Sequence, residues 1–121
     1  MKPFITESYQ ALLKPGAVFT ILIPSWNNLP FLKLCVESIR RHSRYPHDVI
    51  IHVNEGSDGT LTWIRSQPDL SYTISAENIG VCYALNAAES LAQTEWLLYL
   101  NDDMYVCPDW DQKLWEVVNR I

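Results

Sequence analysis

Apolar residues along this chain switch between continuous runs and helical stripes, and the switches mark out the elements. Ala17–Ile23 (AVFTILI) is a nearly unbroken apolar run rich in β-branched residues. It predicts a strand buried on both faces and ended by Pro24. From Leu29 to about Ser43 the period changes. Leu32, Cys35, Val36 and Ile39 share one helical face, with Lys33, Glu37, Arg40 and Arg41 largely opposite. Pro30 falls in the first turn, where proline is tolerated. Asp48–Val53 (DVIIHV) predicts a second buried strand, running into the turn-forming stretch Asn54-Glu55-Gly56-Ser57-Asp58-Gly59-Thr60. A short helix over Thr60–Ser66, stopped by Pro68, leads to a third strand of alternating character at Leu70–Ser75. Gly80 to about Gln93 is the next helix, with Val81, Ala84, Leu85, Ala88 and Leu91 on one stripe. Trp96–Leu100 (WLLYL) is a fourth apolar strand, and Asp109–Arg120 a last helix.

Strand and helix alternate throughout, so the chain reads as an α/β domain, a mostly parallel sheet with helices on both faces. In such sheets ligands bind beyond the carboxyl ends of the strands, where the strand order reverses. The polar stretches Ser25–Asn28, Asn54–Gly59 and Asn101–Asp103 each follow a strand and should share that rim. Residues 1–16 read as an accessory N-terminal helix, with Thr6 as its cap and Lys14-Pro15-Gly16 as its stop. Residues 17–121 form the domain proper.

Composition narrows the class. The 121 residues suit one modest domain, and 48% hydrophobic with 19% charged residues is ordinary for a globular protein. A net charge of −5 argues against a nucleic-acid partner, which needs clustered Lys and Arg. The one basic run, Arg40 to Arg44, sits at a predicted helix end, where cations favour the helix dipole. Cys35, Cys82 and Cys107 are odd in number and widely spaced, which fits a reducing, cytoplasmic setting better than a disulfide framework or zinc site. No segment reaches the roughly 18 apolar residues that a bilayer span needs, and no signal peptide is indicated.

Candidate chemistry concentrates on the rim. Asp102 and Asp103 are adjacent carboxylates that must stay solvated or meet a cation, and a hard ion such as Mg²⁺ or Mn²⁺ suits them. A solvated turn, or capping of the helix that starts near Asp109, accounts for the pair as well. Asn54 and Glu55 offer an amide and a carboxylate to the edge of a nucleobase, or form an ordinary polar turn. Ser25-Trp26-Asn27-Asn28 offers backbone N–H groups and amides to a base or ribose, while Asn27 or Asn28 could cap the following helix. Asn78-Ile79-Gly80 would let a phosphate approach a helix N-terminus, or serve only as a turn. His42, His47 and His52 lack metal-ligand spacing, and His52 reads as a satisfied core histidine.

Taken together, TILIPSWNNLPFLKLCVESI, VIIHVNEGSDGT, ENIGVCYALNAAESLAQTEWLLYLNDDM and the trailing PDW resemble family 2 glycosyltransferases. The likeness runs in register from about Val18 to Trp110. It implies a Rossmann-like GT-A half-domain that binds a UDP- or GDP-linked sugar, with transfer to a hydroxyl and inversion at the anomeric carbon. By the same resemblance the loop Pro24–Trp26 touches the nucleotide and Glu55 reads the base. Asp102 lies near the ribose and sugar, and Asp103, in a DXD-like motif, binds Mn²⁺ or Mg²⁺ bridging the diphosphate. There are departures, which bear on base preference and diphosphate grip. Asn54-Glu55 replaces an acidic pair in a loop one residue shorter, Asn101 replaces the first acid of a D-D-D stretch, and Leu85 stands where an arginine is common.

The family's acceptor-binding half, with its general base, needs on the order of 100 further residues after the metal motif. The expectation is therefore a donor-binding half-domain, a truncated form that transfers sugar poorly or not at all alone. Apolar surface around Trp96–Leu100 and the last helix should then be exposed and favour self-association. The alternatives are a non-catalytic nucleotide-binding or regulatory module using the same rim, and a sugar nucleotidyltransferase. The latter wants a Gly-rich basic loop where this chain has Ser25-Trp26-Asn27-Asn28. A response-regulator-like switch domain would need an isolated phosphoacceptor Asp and a later Lys that are not evident.

Overall fold

Five strands make one sheet whose order decides where the polar loops meet. The computed structural model describes residues 5–121. Strands β1 (Ile5–Tyr9), β2 (Phe19–Trp26), β3 (Asp48–Asn54), β4 (Ser71–Ser75) and β5 (Trp96–Tyr99) lie in the order β1-β4-β3-β2-β5. The pairings β3–β4, β2–β3 and β2–β5 are parallel, and β1 alone runs antiparallel, against β4. The connecting helices are α1 (Leu29–His42), α2 (Thr60–Arg65), α3 (Gly80–Glu89) and α4 (Trp110–Val118).

The period-two alternation of the central strands feeds two cores. Ile21, Ile23, Ile51 and Val53 meet Leu32, Cys35, Val36 and Ile39 of α1, Ile64 of α2 and Trp110 of α4. Leu22 and Ile50 point the other way, onto Ala88 and Leu85 of α3. Helices thus cover both faces, as the alternating pattern predicts. Each fully buried Ile or Leu contributes roughly 1.5–3 kcal/mol from burial, so β2 and β3 carry most of the core's weight.

Several elements depart from the sequence expectation, each for a physical reason. Residues 5–9 form an edge strand rather than part of a helix. Ile, Thr and Tyr favour strands, and Thr6, expected as a cap, donates its hydroxyl to the Ile74 carbonyl at 3.2 Å. Glu7 holds this strand in place by accepting from Arg65 and from the Tyr72 hydroxyl, each at 2.7 Å. Residues 1–4 of the expected accessory segment lie outside the described residues. β2 runs on through Pro24 to Trp26, because Pro24 sits beyond the last β2–β5 pair, Leu22 with Tyr99. The Leu22 carbonyl faces the β5 side, accepting from Leu100 N at 3.0 Å. Strand alternation turns Pro24's missing N–H to that same, open side. β4 is buried along its whole length rather than on alternate positions, since Tyr72 and Ile74 join the core on one face and Thr73 and Ser75 bond to buried His52 on the other. β5 is an edge strand with alternating burial, and Leu97 and Tyr99 are exposed on one face, in keeping with the exposed apolar surface expected around Trp96–Leu100. On α3, which ends at Glu89, only Ala84 and Ala88 of the expected stripe are fully buried, and Val81 is exposed.

Neither Asn27 nor Asn28 caps α1 through its side chain. Asp58 does so from the next loop, accepting from Leu29 N at 2.9 Å, while its other oxygen accepts from Thr60 at the start of α2. At the opposite end of α1 the buried carboxylate of Asp111, 0% exposed, holds α4 against the sheet. It accepts from Arg44 N and Tyr45 N at 2.9 Å each and from His47 Nε2 at 2.6 Å. His47 Nδ1 accepts from Phe19 N at 3.3 Å, so the ring proton sits on Nε2 and the imidazole is neutral. Burial pushes His47 below its ordinary pKa despite the carboxylate beside it. Burial alone would raise Asp111, but the two amides and the imidazole outweigh it and hold the carboxyl below its usual range.

Removing that carboxylate leaves buried donors without acceptors, each worth about 1–3 kcal/mol. Asp111→Ala is expected to cost on the order of 3 kcal/mol or more in urea denaturation; a loss under about 1 kcal/mol would contradict the latch.

Candidate functional site

The chain path after β2 goes to β3 and β4 on one side, then crosses back to β5 on the other. The strand order therefore reverses between β2 and β5, and a crevice opens where their carboxyl ends separate. Ser25 at the end of β2 spans it, donating its hydroxyl to Asp102 Oδ2 at 2.8 Å. Asp102 and Asp103 are the central residues of a turn closed by Met104 N onto the Asn101 carbonyl at 3.2 Å. Cys35 of α1 lies beneath this turn and donates its thiol to the same carbonyl at 3.6 Å. Burial, then the charges of Asp102 and Asp103, push that thiol up to about 12, so it stays a protonated donor.

The crevice is a cleft of about 350 Å³. Pro24, Ser25, Trp26 and Asp102 line it from the β2–β5 side, and Asn54, Asn78 and Gly80 from the β3–α3 side. Sequence-predicted residues from four separate loops are thereby brought to one place. Asn54 is itself largely committed to structure. It is buried, and its Oδ1 accepts from Ile79 N at 2.9 Å, fastening the end of β3 to the start of α3. Asn78 accepts from Gly80 N at 3.0 Å, and Gly80 has φ +80°, a left-handed conformation that glycine takes without strain. Behind them His52 is fully buried, bonded to Thr73 and Ser75 hydroxyls, and burial lowers its pKa to about 4. It is the core histidine that its position in a strand predicts.

Glu55 and Asp103 are not among the residues lining the cleft. Glu55 adopts φ +65° and accepts from the Ser57 hydroxyl at 2.9 Å and from Asn27 Nδ2 at 3.2 Å, bonds that hold its carboxyl below the usual range. Its loop depends on Gly56, where an added Cβ would stand 2.6 Å from Val53 Cγ1. Asn27 Oδ1 is buried without a partner among the described residues. Asp103 is exposed on the turn. Among the described residues no group of three or more His, Cys, Asp or Glu could cage a metal. Asp102 and Asp103 fit instead the mode in which Mg²⁺ or Mn²⁺ takes one or two carboxylates and completes its shell with phosphates and water.

The cleft also uses Asn28 and Asn101, both from the polar stretches expected on the rim, together with Val81, expected only as part of a helical stripe, and Tyr99, which sequence reasoning did not single out. Tyr99 had a readable signal, since alternation along WLLYL turns it to the face opposite Leu98. A second cleft, of about 390 Å³, lies at the opposite ends of the strands, beside Lys14, Arg40, Arg44 and Asp69. There Lys14 Nζ donates to the His47 carbonyl and Arg40 makes a bidentate pair with Asp69. The slightly larger opening is thus far from the switch point, and two of its cations are already engaged.

The sequence matches the family described as Glycosyl transferase family 2 over residues 20–121. No curated protein matches it. Among solved structures, S. aureus TarS 1-349 in complex with UDP superposes with a TM-score of 0.74 at 18% identity, covering 85% of this chain and 32% of that one. The same protein in complex with UDP-GlcNAc gives 0.67 at 18% identity, covering 84% and 30%. The mannosyltransferase PcManGT from Pyrobaculum calidifontis, in complex with GDP-Man and Mn2+, gives 0.67 at 24% identity, covering 93% and 35%. The chain therefore spans about a third of the length of these proteins, and the likeness shows a shared GT-A, Rossmann-like fold.

Proposed function

The chain belongs to glycosyl transferase family 2, and from that premise we propose that it forms the metal-dependent donor site of an inverting glycosyltransferase, moving a sugar from a nucleoside diphosphate to a hydroxyl. The observation that carries this reading is the Ser25–Asp102 contact across the switch-point crevice, with Asp103 exposed next to it. Pro24, Ser25 and Trp26 would flank the nucleotide on one side of the cleft, with Asn54, Asn78 and Gly80 on the other. Glu55, ionised and steadied by Asn27 and Ser57, would read the base. Asp102, held by Ser25, would face the ribose and sugar, and Asp103 would hold Mn²⁺ or Mg²⁺ with the diphosphate. Such an ion offsets the charge that grows on a departing diphosphate. The similar solved structures are complexes with UDP, with UDP-GlcNAc and with GDP-Man and Mn2+, which supports these substrate classes.

Transfer also needs a base within reach of the acceptor hydroxyl. Beyond Asp103 the carboxylates are Asp109, Asp111 and Glu116, and none lines the cleft. Asp111 is consumed by its buried bonds, and Glu116 lies 3.9 Å from Lys113. We therefore expect these residues alone to bind donor and transfer little. Among the described residues no helix is long and apolar enough to cross a membrane. The free thiols of Cys35, Cys82 and Cys107 support a reducing, cytoplasmic setting.

Calorimetric titration of UDP and GDP into the wild type, with and without Mn²⁺, tests the reading. Binding should require the metal and weaken by about tenfold or more in Asp103→Ala, a loss of about 1.4 kcal/mol. Equal affinity in the variant, or no effect of the metal, would overturn it.

The same surface suggests association. β5 is an open edge among the described strands with Leu97 and Tyr99 exposed, and exposed Val81 of α3 lines the same cleft as Tyr99. Unpaired edge groups beside apolar side chains favour edge-to-edge pairing, and an identical edge is self-complementary. A second copy of this chain is the expected occupant. Light scattering at high concentration should show dimers that Leu97→Lys dissociates; a strictly monomeric wild type would remove the idea.

A further inference from the structure

The segment that carries Asp102 and Asp103 does not stand free between β5 and α4. It runs along α1 and is fastened to it at successive turns. The Asn101 carbonyl accepts from Cys35 Sγ, and Val106 N donates to Ser38 Oγ at 3.0 Å. Further on, Asp109 N donates to the His42 carbonyl at 2.9 Å, and Trp110 Nε1 to Ser43 Oγ at 3.0 Å. Cys35 and Ser38 are three apart, so their side chains lie on one face of the helix, one turn from each other. They grip the segment on either side of the exposed stretch Asp103–Tyr105.

Ser38 is the unusual member of this row. Its side chain is fully buried among apolar residues, a place where a hydroxyl is costly unless both its donor and its acceptor capacity are used. Both are used. Its Oγ–H donates to the Cys35 carbonyl at 2.7 Å, a local bond that helical serines often make. That bond aims the remaining lone pairs outward, where the buried Val106 amide is received. The local bond alone would leave the burial unexplained. Ser66 and Ser90 make the same bond to the carbonyl three residues back, yet both are exposed and hold no other segment.

We propose that Ser38 is a positioning residue for the metal-binding turn, fixing Val106 and so the height at which Asp102 and Asp103 stand over the crevice. This deepens the donor-site reading and rests on it. Loss of the hydroxyl frees the Val106 amide and lets the turn move relative to Ser25, which weakens binding that passes through the metal. Contacts to the nucleotide from Pro24, Trp26 and Asn54 do not pass through this turn and are unaffected. A role in stability alone would lower melting temperature without changing the ratio of affinities with and without Mn²⁺.

The test measures that ratio for UDP in the wild type, Ser38→Ala, Ser38→Thr and Val36→Ala. Val36→Ala empties a core position on the same helix and leaves every hydrogen bond to the turn in place. The expected result is a fall in the ratio of about fivefold to tenfold in Ser38→Ala, equivalent to about 1–1.4 kcal/mol. Ser38→Thr, which keeps the hydroxyl, should restore it, and Val36→Ala should leave it at the wild-type value. Amide hydrogen exchange at Val106 should quicken in Ser38→Ala before any ligand is added. If Ser38→Ala does not fold, Ser38→Cys keeps the buried volume with a weaker acceptor and should show the same fall in smaller measure. An unchanged ratio in the folded variant, or an equal fall in Val36→Ala, overturns the role of Ser38 while leaving the donor site intact. A wild type whose UDP and GDP binding ignores Mn²⁺ overturns both.

Discussion

The site exists because β2 is the strand from which the sheet was built outward in both directions. With β3 on one side and β5 on the other, the ends of β2 and β5 are neighbours in space though Ser25 and Asp102 are far apart in the chain. Their hydrogen bond at 2.8 Å joins the two halves of the path at the point where the strand order reverses. The rest of the rim follows from that placement. Asn54 ends the strand on the far side of β2 and ties α3 to the crevice, and Asp103 stands on the turn whose first half Ser25 restrains.

α1 serves as the frame for this arrangement. Its apolar stripe of Leu32, Cys35, Val36 and Ile39 packs on the sheet, and hydrogen bonds along the helix hold the loop after β3 and the segment that leads from β5 to α4. Asp58 caps its start, Ser38 receives Val106, and the backbone just beyond its end is held by Asp111. Buried polar groups of this kind contribute little to net stability when satisfied but are costly when one partner is lost. They therefore specify one arrangement of the chain more than they strengthen it. The fold is held by hydrocarbon contacts between β2, β3, α1 and α3, and the geometry of the site by about half a dozen side-chain to backbone bonds.

Most of the architecture was legible in the sequence, because the core strands and helices differ sharply in period. The continuous runs at β2 and β3 and the stripe of α1 are local signals that tertiary packing reinforces. The misreadings fall where an element's environment, rather than its own pattern, decides its fate. Ile5–Tyr9 becomes a strand only because β4 offers an edge to pair with. Pro24 does not end β2, because a missing N–H is harmless on a side where no neighbour waits. The cleft residues Ser25, Asn54, Gly80 and Asp102 were legible through loop position at strand ends. Ser38, Asp58 and Asp111 were not, since a lone serine or aspartate gives no sign of a partner 29 to 68 residues away.

In the donor-site proposal a divalent ion and a nucleoside diphosphate meet at the β2–β5 crevice. Paramagnetic broadening of amide resonances, with substoichiometric Mn²⁺ added in the presence of UDP, tests that placement without needing turnover. The account predicts broadening centred on Asn101–Met104, extending to Ser25 and to the start of α3, and absent when UDP is omitted. Broadening centred instead on the opposite cleft, around Lys14, Arg44 and Asp69, or the same pattern with no nucleotide present, would contradict it.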